Sequence, residues 1–236
     1  MTIVNINGMK IKIKSNISLI KGLERKSSKK VVVLLSGGVD SSASALALQR
    51  KGYEIYPLFI DYGQNAAKAE KFLVERFCRI AKFHKPKIVK CTFYKQIGGV
   101  DMVEADQIIK TKNAWVEARN TLFMIYSGIY AKKIDADGIC LGYMLEDNFV
   151  FGDNDYFHHK LVELTLSHSF LQPIEVFMPI KEAHKADLMK MLDEKGLLDL
   201  TTSCWNAKIT GGNVRSCNKC SNCLERNSLI KKFKRN

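Results

Sequence analysis

The strongest hydrophobic signal is Val31–Leu35, VVVLL, an unbroken apolar run closed by Ser36-Gly37-Gly38-Val39-Asp40-Ser41-Ser42. A short continuous run that ends in small turn-forming residues predicts a strand buried on both faces, as in a parallel sheet. Shorter runs at Glu54–Ile60, Lys87–Thr92, Gly138–Leu141 and Glu175–Pro179 predict further strands. Between them lie helix-forming stretches: Ala43–Lys51 with Gly52 just beyond, Ala66–Phe83, an apolar helix after Val116–Thr121 to about Lys133, Asp153–His168, and Lys181–Lys195. Strand alternating with helix predicts an α/β fold, a doubly wound parallel sheet with right-handed crossovers.

The ends of the chain have other patterns. Residues 1–15 alternate apolar and polar around Asn7-Gly8, which predicts a hairpin of Thr2–Ile6 and Lys10–Lys14. Lys10, Lys12 and Lys14 fall on one face and discourage edge-to-edge pairing. Leu23–Lys30 is a charged connection, Phe93–Asn113, with turn signals at Gly98-Gly99, a loop over the site, Thr201–Arg226 a cysteine-rich knuckle and Asn227–Asn236 a basic tail. The expected division is an N-terminal hairpin extension (1–30), an α/β domain (31–200) and a C-terminal subdomain (201–236).

Composition changes this picture little. The apolar fraction of 46% is ordinary for a globular chain. No apolar run approaches the ~20 residues of a membrane helix, and the N-terminus lacks a signal-peptide core. The expectation is a cytoplasmic protein with no membrane partner. The formal charge of +13 favours acidic partners such as nucleotide phosphates, RNA or an acidic protein. The lysines are spread along the chain, with no aromatic-interleaved basic stretch, so nucleic acid is allowed but not favoured.

The cysteines divide into two groups. Cys78, Cys91 and Cys140 are scattered and read as small buried hydrophobes. Cys204, Cys217, Cys220 and Cys223 have the spacing of a metal knuckle. Four thiolates close a tetrahedral shell around structural Zn²⁺; an iron–sulfur cluster is the competitor. The adjacent His158 and His159 project about 100° apart on a helix, which makes a poor chelating pair, and read as surface residues.

Ser36–Ser42 carries the clearest chemistry. Its glycines permit a tight turn and a close backbone approach. Asp40, Ser41 and Ser42 are capping types at a helix start, where free N–H groups and the positive helix end suit a phosphate. No Gly-Lys-Ser/Thr follows, and the glycine spacing is not that of a dinucleotide fold. Asp61–Gln64 and Gly142–Asp147 also follow strand carboxyl ends, where ligands of such sheets bind.

The string resembles the SGGxDS signature of the PP-loop ATP pyrophosphatases. In order along the chain, Ser36–Ser42, Ile60-Asp61-Tyr62-Gly63-Gln64, Ala118–Thr121, Gly142 with Glu146-Asp147, His184-Lys185-Ala186-Asp187, and Ser203-Cys204 with three later cysteines resemble the QueC family of 7-cyano-7-deazaguanine synthases. The resemblance spans about residues 31–228. It departs from the family at Met144-Leu145, where Asn-Ala is usual, and at Asn148–Gly152.

The resemblance implies an ATP-dependent ligase that releases AMP and pyrophosphate. The carboxylate of 7-carboxy-7-deazaguanine attacks the α-phosphate, and ammonia displaces AMP. A second adenylation leads to the nitrile. Ser36, Gly37, Gly38, Val39, Ser41 and Ser42 would hold the pyrophosphate, and Asp40 would orient the loop or Mg²⁺. Lys185 and Arg119 would neutralise phosphate charge, Asp61, Gln64 and Asn120 would lie near ATP, and Glu146, Asp147 and Asp153 near the deazapurine. A homodimer is also implied. Two alternatives stand beside this: a QueC-like paralogue that hands the activated deazaguanine to another amine, such as a protein amine in an anti-phage system, and a PP-loop enzyme acting on tRNA.

Overall fold

The computed structural model describes residues 2–6, 9–13, 27–98, 116–145 and 152–233. The predicted central strand is observed as β3 (Lys30–Leu34), and it has a parallel neighbour on each side. On one side are β4 (Glu54–Asp61) and then β5 (Lys87–Lys90); on the other are β6 (Gly138–Cys140) and then β7 (Glu175–Phe177). The order is β5-β4-β3-β6-β7, all parallel. The run at Val31–Leu35 is apolar throughout because both faces are covered. Val31, Val33 and Leu35 pack with Ile55, Phe59 and Cys140 on one side, while Val32 packs with Leu58 and Ile139 on the other.

Two helices cover the first face: α1 (Val39–Arg50) and α2 (Ala67–Ile80). After a short α3 (Phe93–Ile97), the opposite face receives α4 (Arg119–Ile134) and α5 (Tyr156–Phe170). The chain therefore moves outward from β3 through β4 to β5, then returns to the other side of β3. Right-handed crossovers put the helices of the two halves on opposite faces. The reversal falls between β3 and β6, and the crevice beyond their carboxyl ends is where such sheets bind ligands.

A further helix, α6 (Lys185–Glu194), buries Leu188, Met189 and Leu192 against Val39, Ala43 and Leu46 of α1. The N-terminal hairpin pairs β1 (Thr2–Ile6) with β2 (Met9–Ile13), with Ile6 opposite Met9. Residues 27–29 before β3 are pinned, since Ser28 and Lys29 donate backbone N–H groups to the Asp137 carboxylate at 2.7 and 3.1 Å.

Several boundaries differ from the sequence reading. Helix α1 starts at Val39, so Asp40–Ser42 form its first turn and Gly38 is its N-cap. Helix α6 starts at Lys185, after a run of turns through 179–182. A hairpin of β8 (Lys208–Thr210) and β9 (Asn213–Arg215) interrupts the cysteine segment. The stretch read as a basic tail is largely α7 (Ser221–Phe233), with Leu229, Ile230 and Phe233 packed against the α6 cluster. His159 is buried rather than on the surface, its Nδ1 beside the Asp155 carbonyl and its ring against Tyr143. Cys78, Cys91 and Cys140 are buried as expected.

Candidate functional site

Beyond β3 the chain turns through Ser36-Gly37-Gly38 in three residues. Gly37 has φ of +79°, which a side chain at that position would strain. Gly38 is extended and caps α1 without any side-chain hydrogen bond. Asp40, Ser41 and Ser42 thus leave the helix terminus uncapped, contrary to the capping role their types suggest. A side-chain cap would occupy the donors that a phosphate needs. The two loop hydroxyls brace one another instead: Ser36 Oγ lies 3.1 Å from Ser41 Oγ, and the Ser36 N–H donates to Ser41 Oγ at 3.3 Å.

Two other segments close on this loop. Thr202 N–H donates to the Gly37 carbonyl at 2.8 Å, so the chain just before Cys204 abuts the turn. Gly142, beyond β6, lies against the start of α1, and a Cβ there would sit 2.6 Å from the Ser41 nitrogen. The obstacle is backbone and cannot swing aside. Gly142→Ala is expected to lower stability by about 1–3 kcal/mol and to weaken nucleotide binding, read by urea unfolding and calorimetric titration.

A cavity of about 330 Å³ opens in front of the loop at the β3–β6 crevice. Ser36, Gly38, Val39, Asp40 and Ser41 form one wall, with Gln64, Arg119, Asn120 and Lys185 around it. Lys185 Nζ lies 3.9 Å from Asp40 Oδ2 and 3.3 Å from Glu225 Oε2, so a cation stands beside the phosphate loop. Arg119 opens α4 and donates Nη1 to the Tyr62 hydroxyl at 3.4 Å. The Gln64 side chain spans the turn after β4: its Oε1 accepts the Tyr62 N–H at 2.9 Å and its Nε2 donates to Glu70 Oε2 at 2.8 Å. Burial pushes the Glu70 carboxyl up to about 7, against the Gln64 hydrogen bond and the Arg119 charge that pull it down.

Other expected site residues lie elsewhere. Gly37 and Ser42 belong to the loop but do not line the cavity. Asp61 accepts the Gly63 N–H at 3.0 Å and shapes the turn. Asp153 accepts the Asn120 N–H at 2.9 Å, so it caps the start of α4, while its neighbour Asn154 reaches the cavity. Glu146 and Asp147 lie outside the described residues.

Sequence reasoning missed Glu70, Thr202, Trp205 and Asn222 as cavity residues, while Tyr143 and Ser203 fall within stretches it singled out without giving them a role. Ser203 and Trp205 flank the first knuckle cysteine, which was the available signal. Glu70 carries none, since a glutamate in the first turn of a helix reads as an ordinary dipole partner.

The four knuckle cysteines converge, with all their Sγ atoms within 4.8 Å of one another. Cys204, Cys220 and Cys223 are buried. Backbone N–H groups point at the sulfurs: Cys217 to Cys204 at 3.2 Å, and Lys219 and Cys220 to Cys217 at 3.5 and 3.4 Å. Burial acts to raise the Cys217 thiol, but hydrogen bonds from Lys219 and Cys220 bring it down to about 6, favouring thiolate. A tetrahedral ion with metal–sulfur bonds near 2.3 Å sets its sulfurs roughly 3.8 Å apart. Observed separations are 3.9 Å for Cys217–Cys223 and 3.4 Å for Cys220–Cys223. The donor set fits a single metal ion, and a four-iron cube would hold the sulfurs further apart.

A glycine turn feeding an uncapped helix at the switch point of a parallel sheet, with a cation beside it, defines a PP-loop nucleotide-binding α/β protein. The family model described as "Queuosine biosynthesis protein QueC" matches residues 30–234, and the chain belongs to that family. Its relatives include the 7-cyano-7-deazaguanine synthase of Campylobacter jejuni subsp. doylei, 30% identical over 213 residues that cover 84% of this chain and 92% of that protein. That of Methanocaldococcus jannaschii is 26% identical over 217 residues, covering 84% and 92%. Among solved structures, a "predicted subunit of tRNA methyltransferase" from M. jannaschii overlaps 70% of this chain and 75% of that one, at 21% identity and a TM-score of 0.49.

Proposed function

We propose that this chain adenylates the carboxylate of 7-carboxy-7-deazaguanine with ATP and, with ammonia, carries it to 7-cyano-7-deazaguanine. The observation that carries the reading is the uncapped start of α1 facing a cavity beside Lys185. That terminus offers N–H donors and a positive field to the departing pyrophosphate. Lys185 and Arg119 offset phosphate charge as it builds up during the transfer, and the crevice holds the carboxylate in line with the α-phosphate. Asp40 is the carboxylate beside the loop that would hold Mg²⁺, which when bound screens the phosphates. The knuckle cysteines would hold Zn²⁺ as a structural ion, since the four sulfurs leave no open position.

The departure at Met144 bears on the substrate. Met144 is only 1% exposed and packs into the α1–α6 core, so the change from a polar family residue is absorbed by packing. Met144 is not part of the cavity lining, so this departure leaves the described cavity wall unaltered.

Incubation with ATP, 7-carboxy-7-deazaguanine and ammonium, followed by mass spectrometry, tests the proposal. AMP, pyrophosphate and the nitrile are expected; ADP with inorganic phosphate overturns it. AMP without nitrile, together with a mass shift on a protein, would transfer the activity to a protein amine. Steeply salt-dependent tRNA binding would favour RNA.

A further inference from the structure

Two carboxylates among the described residues line the cavity, Asp40 and Glu70. Asp40 faces the Lys185 ammonium. Glu70 is placed differently. It projects from the first turn of α2, and its backbone packs against the glycine turn, with its carbonyl 3.2 Å from where a Gly37 Cβ would be. One carboxyl oxygen takes the Gln64 amide. The other accepts no hydrogen bond among the described residues.

We propose that Glu70 takes the proton that the incoming amine sheds as it attacks the acyl adenylate, an inference that rests on the adenylation reading above. The nitrogen lone pair forms the C–N bond to the acyl carbon. The acyl C–O bond then breaks, its electron pair leaving with AMP. The amine nitrogen loses one proton, which moves to a Glu70 oxygen and from there to solvent. Ammonia carries no side chain to be recognised, so a base that accepts its proton is the contact the site can supply.

The surroundings suit this task. Arg119 faces Glu70 from the start of α4, Asp61 from the last position of β4 and Tyr62 from just after it. The guanidinium disfavours a second metal cation there but not a neutral amine. Burial first, and then Asp61, raise the carboxyl toward neutrality, while Gln64 and Arg119 keep it from rising further. A base that titrates close to working pH is an effective proton acceptor. It is protonated, and so inactive, below about 7 and competent above.

The test compares ammonia with hydroxylamine as acceptor, at fixed concentrations of the free bases. Once bonded to the acyl carbon, hydroxylamine's nitrogen gives its proton to water far more readily than ammonia's does. In the wild-type chain the ammonia-to-hydroxylamine rate ratio should fall as pH drops below about 7. In Glu70→Gln the ratio should be about 100-fold lower and independent of pH. A general loss of adenylation lowers both rates and leaves the ratio unmoved. An unchanged ratio in the variant, or a flat ratio in wild type, overturns the assignment; the wild-type profile decides even if the variant fails to fold. Failure of the adenylation reading is seen separately, as absence of AMP with either amine.

Discussion

Lys185→Ala is expected to lower AMP production by about 10²–10³-fold or more while leaving the fold intact. The lysine is the first residue of α6, and its side chain is 21% exposed. The buried contacts of that helix come from Leu188, Met189 and Leu192, none of which the substitution touches. What is lost is a cation 3.9 Å from Asp40 at the mouth of the phosphate loop. Phosphate negative charge would then build up in the crevice with one fewer positive partner. Arginine at this position should rescue little, because a planar fork replaces a compact charge in a confined space. Pyrophosphate exchange measures the effect, and a thermal melt within about 2 °C of wild type shows that folding is not the cause. Activity within tenfold of wild type would remove Lys185 from the site.

The second large effect is expected at the knuckle. Cys220→Ser should lose the metal and a large part of the stability together, because three crowded thiols and a hydroxyl then stand in place of four bonds to the ion. Cys204, Cys220 and Cys223 form one small core with Ala66 and Ala69 at the start of α2. Loosening that core also frees the segment carrying Gln64 and Glu70, as well as Thr202 and Trp205 in the cavity wall. A fall in melting temperature of about 10 °C or more, loss of metal by elemental analysis, and weaker nucleotide binding should appear together. Metal content equal to wild type would disprove the four-cysteine site.

The sheet was legible because its chemistry is local. VVVLL, with both faces covered, has no other economical reading, and the five parallel strands were found close to their observed positions. The glycine turn after β3 and the cysteine cluster were legible for the same reason, since spacing alone carries them. What escaped depends on tertiary contact. Asp153 and Asp61 have the residue type of ligand-binding groups, yet each is used by a neighbouring backbone N–H, a choice that only the folded loops make. Helix α7 was hidden by its charge. Its lysines read as a solvated tail, while Leu229, Ile230 and Phe233, at helical spacing, bury one face. That helix also supplies Asn222 to the cavity and Glu225 to Lys185, and Arg226 bonds the Leu198 carbonyl at 2.9 Å.

The hydrogen bond from Thr202 to Gly37 joins the beginning of the core to its end. A nascent chain exposes its glycine turn early, but Thr202, Ser203 and Trp205 of the cavity wall are translated only well after it. Ribosome-bound chains halted before residue 202 should therefore fail to retain ATP, and competence should arise only once that segment has left the tunnel.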